Sequence, residues 1–124
     1  MDKKNLEKYG NPEHCPIRNV VERIGDKWSM LVILLLDEEQ VLRFNEIHKY
    51  IRTISQKMLT VTLKSLEADG LVVRTVYPQI PPKVEYKLTQ RGETLIPHLH
   101  NLVQWAKENM DEIRVLRKSF EKNS

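Results

Sequence analysis

Residues 54–92 read ISQKMLTVTLKSLEADGLVVRTVYPQIPPKVEYKLTQRG, and this stretch decides the fold. Ser55 suits a helix N-cap, because its hydroxyl can accept from a free amide of the first turn. At about 100° per residue Met58, Leu59, Leu63 and Leu66 gather on one face, with Thr62 in the same arc. The helix is predicted to run to about Ala68, where Asp69-Gly70 closes it with a left-handed cap. Leu71 to Val76 is β-branched and strand-like. Tyr77 to Lys83 contains three prolines, which remove ladder donors, so it reads as a stiff loop. Val84 to Leu88 alternates apolar and charged residues, the pattern of a half-buried return strand. Thr89 then caps a long terminal helix.

Upstream, Pro16 is a favoured first-turn residue and opens a helix predicted to reach Ile24, where Gly25 ends it. Asp26 caps a second helix over Lys27 to Leu36, with Trp28, Leu31, Val32, Leu35 and Leu36 as core candidates. Residues 37–40, DEEQ, read as a polar turn. Arg43 to Tyr50 is a short third helix with Phe44, Ile47 and Ile51 on one side. A short helix, a tight turn and a longer helix give helix-turn-helix order. The expected fold class is mainly α with a small β-hairpin. Its architecture is a winged helix-turn-helix with a three-helix core, a wing and a long C-terminal dimerisation helix. Residues 1–14 are expected to form a flexible N-terminal arm, 15–92 the winged DNA-binding domain and 93–124 a helical dimerisation extension.

The chain has 124 residues, 40% apolar and 30% charged. No apolar run approaches the roughly 20 residues that span a bilayer, so no membrane partner is expected. The charged N-terminus is followed by no apolar segment, which argues against a signal peptide. A single cysteine excludes an internal disulfide and fits a reducing, cytoplasmic location. No nucleophile–base set, phosphate-binding glycine loop or paired carboxylate occurs at meaningful spacing, so an enzyme is not expected. His98 and His100 point about 200° apart on a helix, and no other ligand spacing is recognisable, so neither a metal nor another cofactor is expected.

Net charge is +3 but unevenly spread: Arg43 to Arg91 holds nine Lys/Arg against four acids, which leaves −2 for the rest. Such a basic segment is the footprint of polyanion contact. On the Ser55 helix the outer arc carries Lys57, Thr60, Val61, Lys64 and Ala68, with no acid between Ser55 and Leu66. Lysine reaches guanine acceptors or phosphate, threonine bonds base or backbone oxygens, and valine meets a thymine methyl. Gln56 can pair bidentately with adenine, and the helix N-terminus offers free amides to a phosphate. Arg74, Lys83 and Lys87 flank the stiff loop, which can lie along the backbone or tip into a minor groove, with Lys83 the foremost contact.

These residues carry a family. Cys15-Pro16-Ile17, residues 24–28 (IGDKW), 43–47 (RFNEI), 54–60 (ISQKMLT), 69–72 (DGLV), 74–78 (RTVYP) and 81–86 (PPKVEY) resemble the HxlR-type winged helix-turn-helix regulators, relatives of the MarR group. The resemblance spans about Cys15 to Trp105. It implies a homodimeric transcription factor on a short palindromic operator in double-stranded DNA. The candidate DNA contacts are Arg43, Ser55, Gln56, Lys57, Thr60, Val61, Lys64, Arg74 and Lys83. The family often has Pro where Gln56 stands, and polar or basic residues where Val61 and Thr62 stand, so base preference is open to differ here.

From Leu95 the apolar positions run Leu95, Leu99, Leu102, Ala106, Met110, Ile113, Leu116 and Phe120, in steps of three and four. A helix of about 30 residues reaches ~45 Å, too long for a small domain to cover, and a second copy is the simplest cover. Leu99, Leu102, Ala106, Met110, Ile113 and Leu116 are the dimerisation candidates, with Val20 and Val21 of the first helix joining them. Cys15 precedes Pro16 at a helix N-terminus, where the dipole favours thiolate, with His14 and Arg18 beside it in sequence. The resemblance makes it a candidate sensor of oxidants or electrophiles; the other reading is a small buried residue. A small-molecule effector is a further possible partner, although Trp28 and Trp105 read as core residues. The competing function is a winged helix used as a protein-interaction module.

Overall fold

The helices of the N-terminal half begin where the sequence supplies an acceptor for their free amides. In the computed structural model, which describes residues 8–11, 13 and 15–123, a short 3₁₀ turn at Lys8–Gly10 precedes helix α1, Pro16–Ile24. Most of the expected arm, His14 included, lies outside the described residues. Helix α2 is Lys27–Glu39, capped by Asp26, whose carboxylate accepts from the Ser29 amide at 2.9 Å and from its hydroxyl at 2.8 Å. Helix α3 is Phe44–Tyr50, and the Arg43 amide at its head donates to the Glu46 carboxylate at 2.8 Å. Helix α4 is Gln56–Ala68, capped by the Ser55 hydroxyl, which accepts from the Met58 amide at 3.0 Å.

Gly70 closes α4 with φ +73, the conformation a residue without a Cβ adopts most readily. Strands β1, Val72–Tyr77, and β2, Lys83–Leu88, pair antiparallel from Val72↔Leu88 to Tyr77↔Lys83, so the connecting loop is residues 78–82. Helix α5 is Gln90–Lys122, and Thr89 caps it by accepting from the Gly92 amide at 3.1 Å. A Cβ on Gly92 would collide with the Leu71 carbonyl. That glycine therefore lets the first turn of α5 sit directly against the lead-in to β1.

Two sequence expectations for α2 are corrected. Residues 37–39 continue the helix instead of turning; Asp and Glu do not break a helix, and the chain leaves it only at Gln40, with φ +69. Leu31 is exposed, whereas Ile33 is fully buried beside Val32 and Leu36. The run MLVILLL is apolar all round, so its periodicity could not select a face. Helix α2 packs on α4 and β2, α4 also on β1, α3 on β2, and α1 on α2 and α4. Leu42, Ile47, Ile51, Ile54, Leu59, Leu63, Leu66, Val72, Tyr86 and Leu88 complete this core.

A second link was not visible in the sequence. Leu42 bridges to Tyr86, its amide donating at 3.1 Å and its carbonyl accepting at 2.8 Å. This ties the chain just ahead of α3 to the return strand of the hairpin.

The described chain divides between Thr94 and Leu95 into two compact units. The second is the remainder of α5, which has Pro97 within it. Leu102, Trp105, Val115, Leu116 and Phe120 are exposed on it, so Trp105 is not the core residue expected. Ile113, Leu116, Arg117, Phe120 and Glu121 line an open hollow of about 410 Å³. Among the described residues no helix is long and apolar enough to cross a membrane.

Candidate nucleic-acid interface

Helix α4 sorts its residues by face. Leu59, Thr62, Leu63 and Leu66 are buried, while Gln56, Lys57, Thr60, Val61 and Lys64 are exposed, as the spacing predicts. Met58 departs from expectation: it is 42% exposed. It stands about 100° from Leu59 around the helix axis, at the flank of the buried arc. Among the described residues Lys57 and Lys64 make no ion pair or hydrogen bond. Neither ammonium is tied up in a direct contact, so both can meet an anion, although Glu67 lies one turn from Lys64. The Thr60 hydroxyl donates to the Gln56 carbonyl at 2.9 Å, which leaves its oxygen lone pairs open.

Beside this face runs a cleft of about 390 Å³ lined by Phe44, Thr60, Leu63, Lys64, Glu67, Arg74 and Tyr86. It brings Thr60 and Lys64 of α4 together with Arg74 of β1, three of the expected contacts from two elements. Arg43 is exposed at the head of α3. The turn between α3 and α4 is fixed from within, with the His48 Nε2 at 2.9 Å from the Ile54 carbonyl. At the far end, Arg23 of α1 grips Asp69, just past α4, through two hydrogen bonds of 2.9 and 3.0 Å. The hydrogen bond to Asp69 and then its charge raise the Arg23 pKa further above its ordinary value.

Lys83, foremost of the expected wing contacts, sits at the base of the loop and not at its tip. Its Nζ lies 3.9 Å from the Glu85 carboxylate and 5.1 Å from the centre of the Tyr77 ring. Glu85 also holds the Tyr77 phenol above its usual pKa, by accepting its hydrogen bond and by its charge. The signal was in the sequence: residues i and i+2 share a strand face, so Lys83 and Glu85 are neighbours. Sequence reasoning also passed over a patch at the end of α3, where Lys49, Tyr50 and Arg52 are exposed around a hollow shared with Glu46.

Cys15 is the N-cap of α1, its sulfur accepting from the Arg18 amide at 3.4 Å, and it is fully buried. Of the expected dimerisation residues, Val20, Leu102 and Leu116 are exposed, Ala106, Met110 and Ile113 half-buried, and Leu99 only 6% exposed.

A helix-turn-helix whose second helix turns outward a face with no acid from Ser55 to Leu66, together with an adjoining two-stranded wing, defines a winged-helix DNA-binding protein. Comparison with known proteins makes the assignment narrower. The family described as HxlR-like helix-turn-helix matches residues 23–114, and the chain belongs to that family. It is 47% identical over 104 residues to an HTH-type transcriptional regulator of Halalkalibacterium halodurans, covering 84% of this chain and 92% of the relative. With the HTH-type regulator YybR of Bacillus subtilis it shares 43% over 117 residues, covering 94% and 90%. Among solved structures, the redox regulator HypR in its reduced form superposes with a TM-score of 0.75 at 40% identity, covering 81% of this chain and 98% of that one. The reduced transcriptional regulator YodB from B. subtilis gives 0.67 at 38%, covering 76% and 92%. The protein is thus a transcriptional regulator with a helix-turn-helix domain, and its partner is DNA.

Proposed function

We propose that the chain acts as a homodimer on an operator with two-fold symmetry, setting one α4 into each of two successive major grooves. The observation that carries this reading is the outer face of α4, where Gln56, Lys57, Thr60, Val61 and Lys64 stand exposed, two of them cations outside any ion pair among the described residues. Ser55 at the cap, Arg43 on α3 and Arg74 on β1 extend that face toward the backbone. Lys49 and Arg52 add phosphate contacts on the α3 side, since the first helix of such a pair crosses the backbone. The dimer is supported by the apolar side chains one chain leaves uncovered: Val20 and Val21 on α1, and Leu102 and Leu116 on α5, with Ala106, Met110 and Ile113 between them.

The test is selection of bound duplexes from a randomised pool with reduced protein. An inverted repeat with half-sites about 10 base pairs apart is expected, one helical turn of DNA. With that duplex, Lys57→Ala and Lys64→Ala together should weaken binding about 100-fold and lower the slope of log K against log salt by about 1.8, if each lysine meets one phosphate. No enrichment from the pool overturns the reading.

Cys15 is the redox-responsive group in this proposal. It caps the helix that carries Val20 and Val21, so a thiol-bound adduct there displaces the start of a dimer face. The kinship with HypR and YodB, named as a redox regulator and studied after diamide treatment, supports a thiol switch. Because the thiol is buried, an oxidant or electrophile reaches it when the first turn of α1 opens. Diamide with glutathione should join the glutathione sulfur to Cys15 as a mixed disulfide, the two thiol hydrogens passing to diamide to give its hydrazine, which adds the mass of one glutathione less two hydrogens and changes operator affinity; Cys15→Ser should abolish both effects. An unmodified Cys15 with altered affinity sinks the assignment.

A further inference from the structure

The wing tip has an unusual surface for a DNA contact. Between Tyr77 and Lys83 it holds no charge at all: the residues are Pro78, Gln79, Ile80, Pro81 and Pro82. Ile80 is fully exposed. A flexible loop would fold such a side chain back onto apolar neighbours, since burying it is favourable. Here prolines on both sides fix the backbone torsions, so the isoleucine is held out at little further entropy cost on docking. The cation next to the loop in sequence is drawn back. Lys83 is engaged by Glu85 and the Tyr77 ring at the base, where Tyr77 and Lys83 face each other across the hairpin. The tip is therefore built for shape and not for phosphate charge.

We infer that the wing tip enters the minor groove beside the half-site, with Ile80 as an apolar wedge against the groove floor and Gln79 donating to its acceptors. This rests on the reading of α4 as the major-groove element. Strand β1 packs on α4, so the hairpin accompanies that helix onto the duplex, and the groove next to an occupied major groove is a minor one. Apolar side chains are a recurring minor-groove device, and an amide can donate to the adenine N3 and thymine O2 that A·T pairs present there. The guanine 2-amino group projects into the same space and would meet Ile80. The tip therefore favours A·T pairs by exclusion of that group.

The experiment uses the full chain and the selected operator, with the base pairs under the wing made A·T, inosine·cytosine or G·C. Inosine·cytosine presents the major-groove face of G·C without the minor-groove amino group. Wild-type protein should bind A·T and inosine·cytosine equally and G·C about tenfold more weakly, the usual scale for one disfavoured pair. Ile80→Ala should bind the A·T duplex about tenfold more weakly with an unchanged salt slope, and should lose most of the penalty against G·C. Ile80 is fully exposed, so this variant keeps the fold. As a second variant, Ile80→Arg should bind A·T sites with a steeper salt slope, by about 0.9, because a cation now enters the groove. Inosine·cytosine binding as weakly as G·C places the readout in the major groove and overturns the inference. Unchanged affinity of Ile80→Ala overturns it as well and leaves the tip free for a protein contact. A wild-type protein that selects no duplex overturns the regulator reading first, and this one with it.

Discussion

Helices α1 and α4 are short neighbours that touch each other and both border α2, yet among the described residues one buries its apolar stripe and the other leaves it exposed. Helix α4 buries four residues and turns a polar, cationic face outward. Helix α1 buries none, and Ile17, Val20 and Val21 are each at least half exposed. Both are amphipathic, so amphipathicity alone does not say what a helix faces. In α4 the apolar stripe meets the core and the polar stripe awaits DNA. In α1 the apolar stripe itself is what remains open among the described residues, and it is the face the proposed dimer would cover.

The widest break between the two faces of α4 is energetic. Leu59→Ala should cost about 2–5 kcal/mol in denaturant unfolding, because a fully buried leucine leaves both lost transfer energy and a cavity. Val61→Ala, on the exposed face, should change stability by no more than about 0.5 kcal/mol while weakening operator binding. Equal destabilisation by the two would mean that α4 is not oriented as described.

The parts of this arrangement legible in the sequence are those set by local chemistry. Pro16, Asp26, Ser55, Gly70 and Thr89 each act within a turn of their own position, and the helix starts, the α4 boundary and the hairpin followed from them. What escaped is set by tertiary context. The seven apolar residues of α2 have no polar marker to orient them, so Leu31 and Ile33 were exchanged. The end of α2 uses a left-handed Gln40 where a glycine would have announced it. The Leu42–Tyr86 bridge joins segments far apart in the chain, and no local pattern encodes that pairing. The interface divides in the same way: the outward face of α4 followed from helical period alone, while the cleft joining it to Arg74 depends on how β1 docks.

For α1 the comparison sharpens in the oligomeric state. Val20→Asp combined with Val21→Asp should leave the folded subunit intact, as both side chains are exposed in a single chain. It should raise the dimer dissociation constant at least tenfold, measured by sedimentation, since burying a carboxylate at an apolar interface is unfavourable. The same substitution should weaken the inverted repeat while sparing the isolated half-site, because one reading head is then used without the other. A dimer of unchanged strength would show that α1 is covered by something other than a second copy.

The smallest expected effect falls on the strap between the two helices. Arg23 near the end of α1 holds Asp69 just past α4 with two charged hydrogen bonds, the arginine side chain half exposed and the carboxylate about one-third exposed. Exposed pairs of this kind add little stability, so Arg23→Gln should barely move the unfolding midpoint. Its consequence is geometric: the strap couples the proposed dimer face to the reading face and so limits how far apart two α4 helices can stand. Loss of it should broaden the range of half-site spacings the protein accepts, measured with operators lengthened or shortened by one base pair. The raised pKa of Arg23 fixes the pH behaviour. A cation whose folded pKa is raised contributes below its unfolded value and is lost only as pH climbs through the folded one, far above neutrality. Spacing preference should therefore be constant between about pH 5 and 9, and should relax with added salt, which screens exposed charges. A variant with unaltered spacing preference would mean that packing of α1 on α4 alone sets the angle between them.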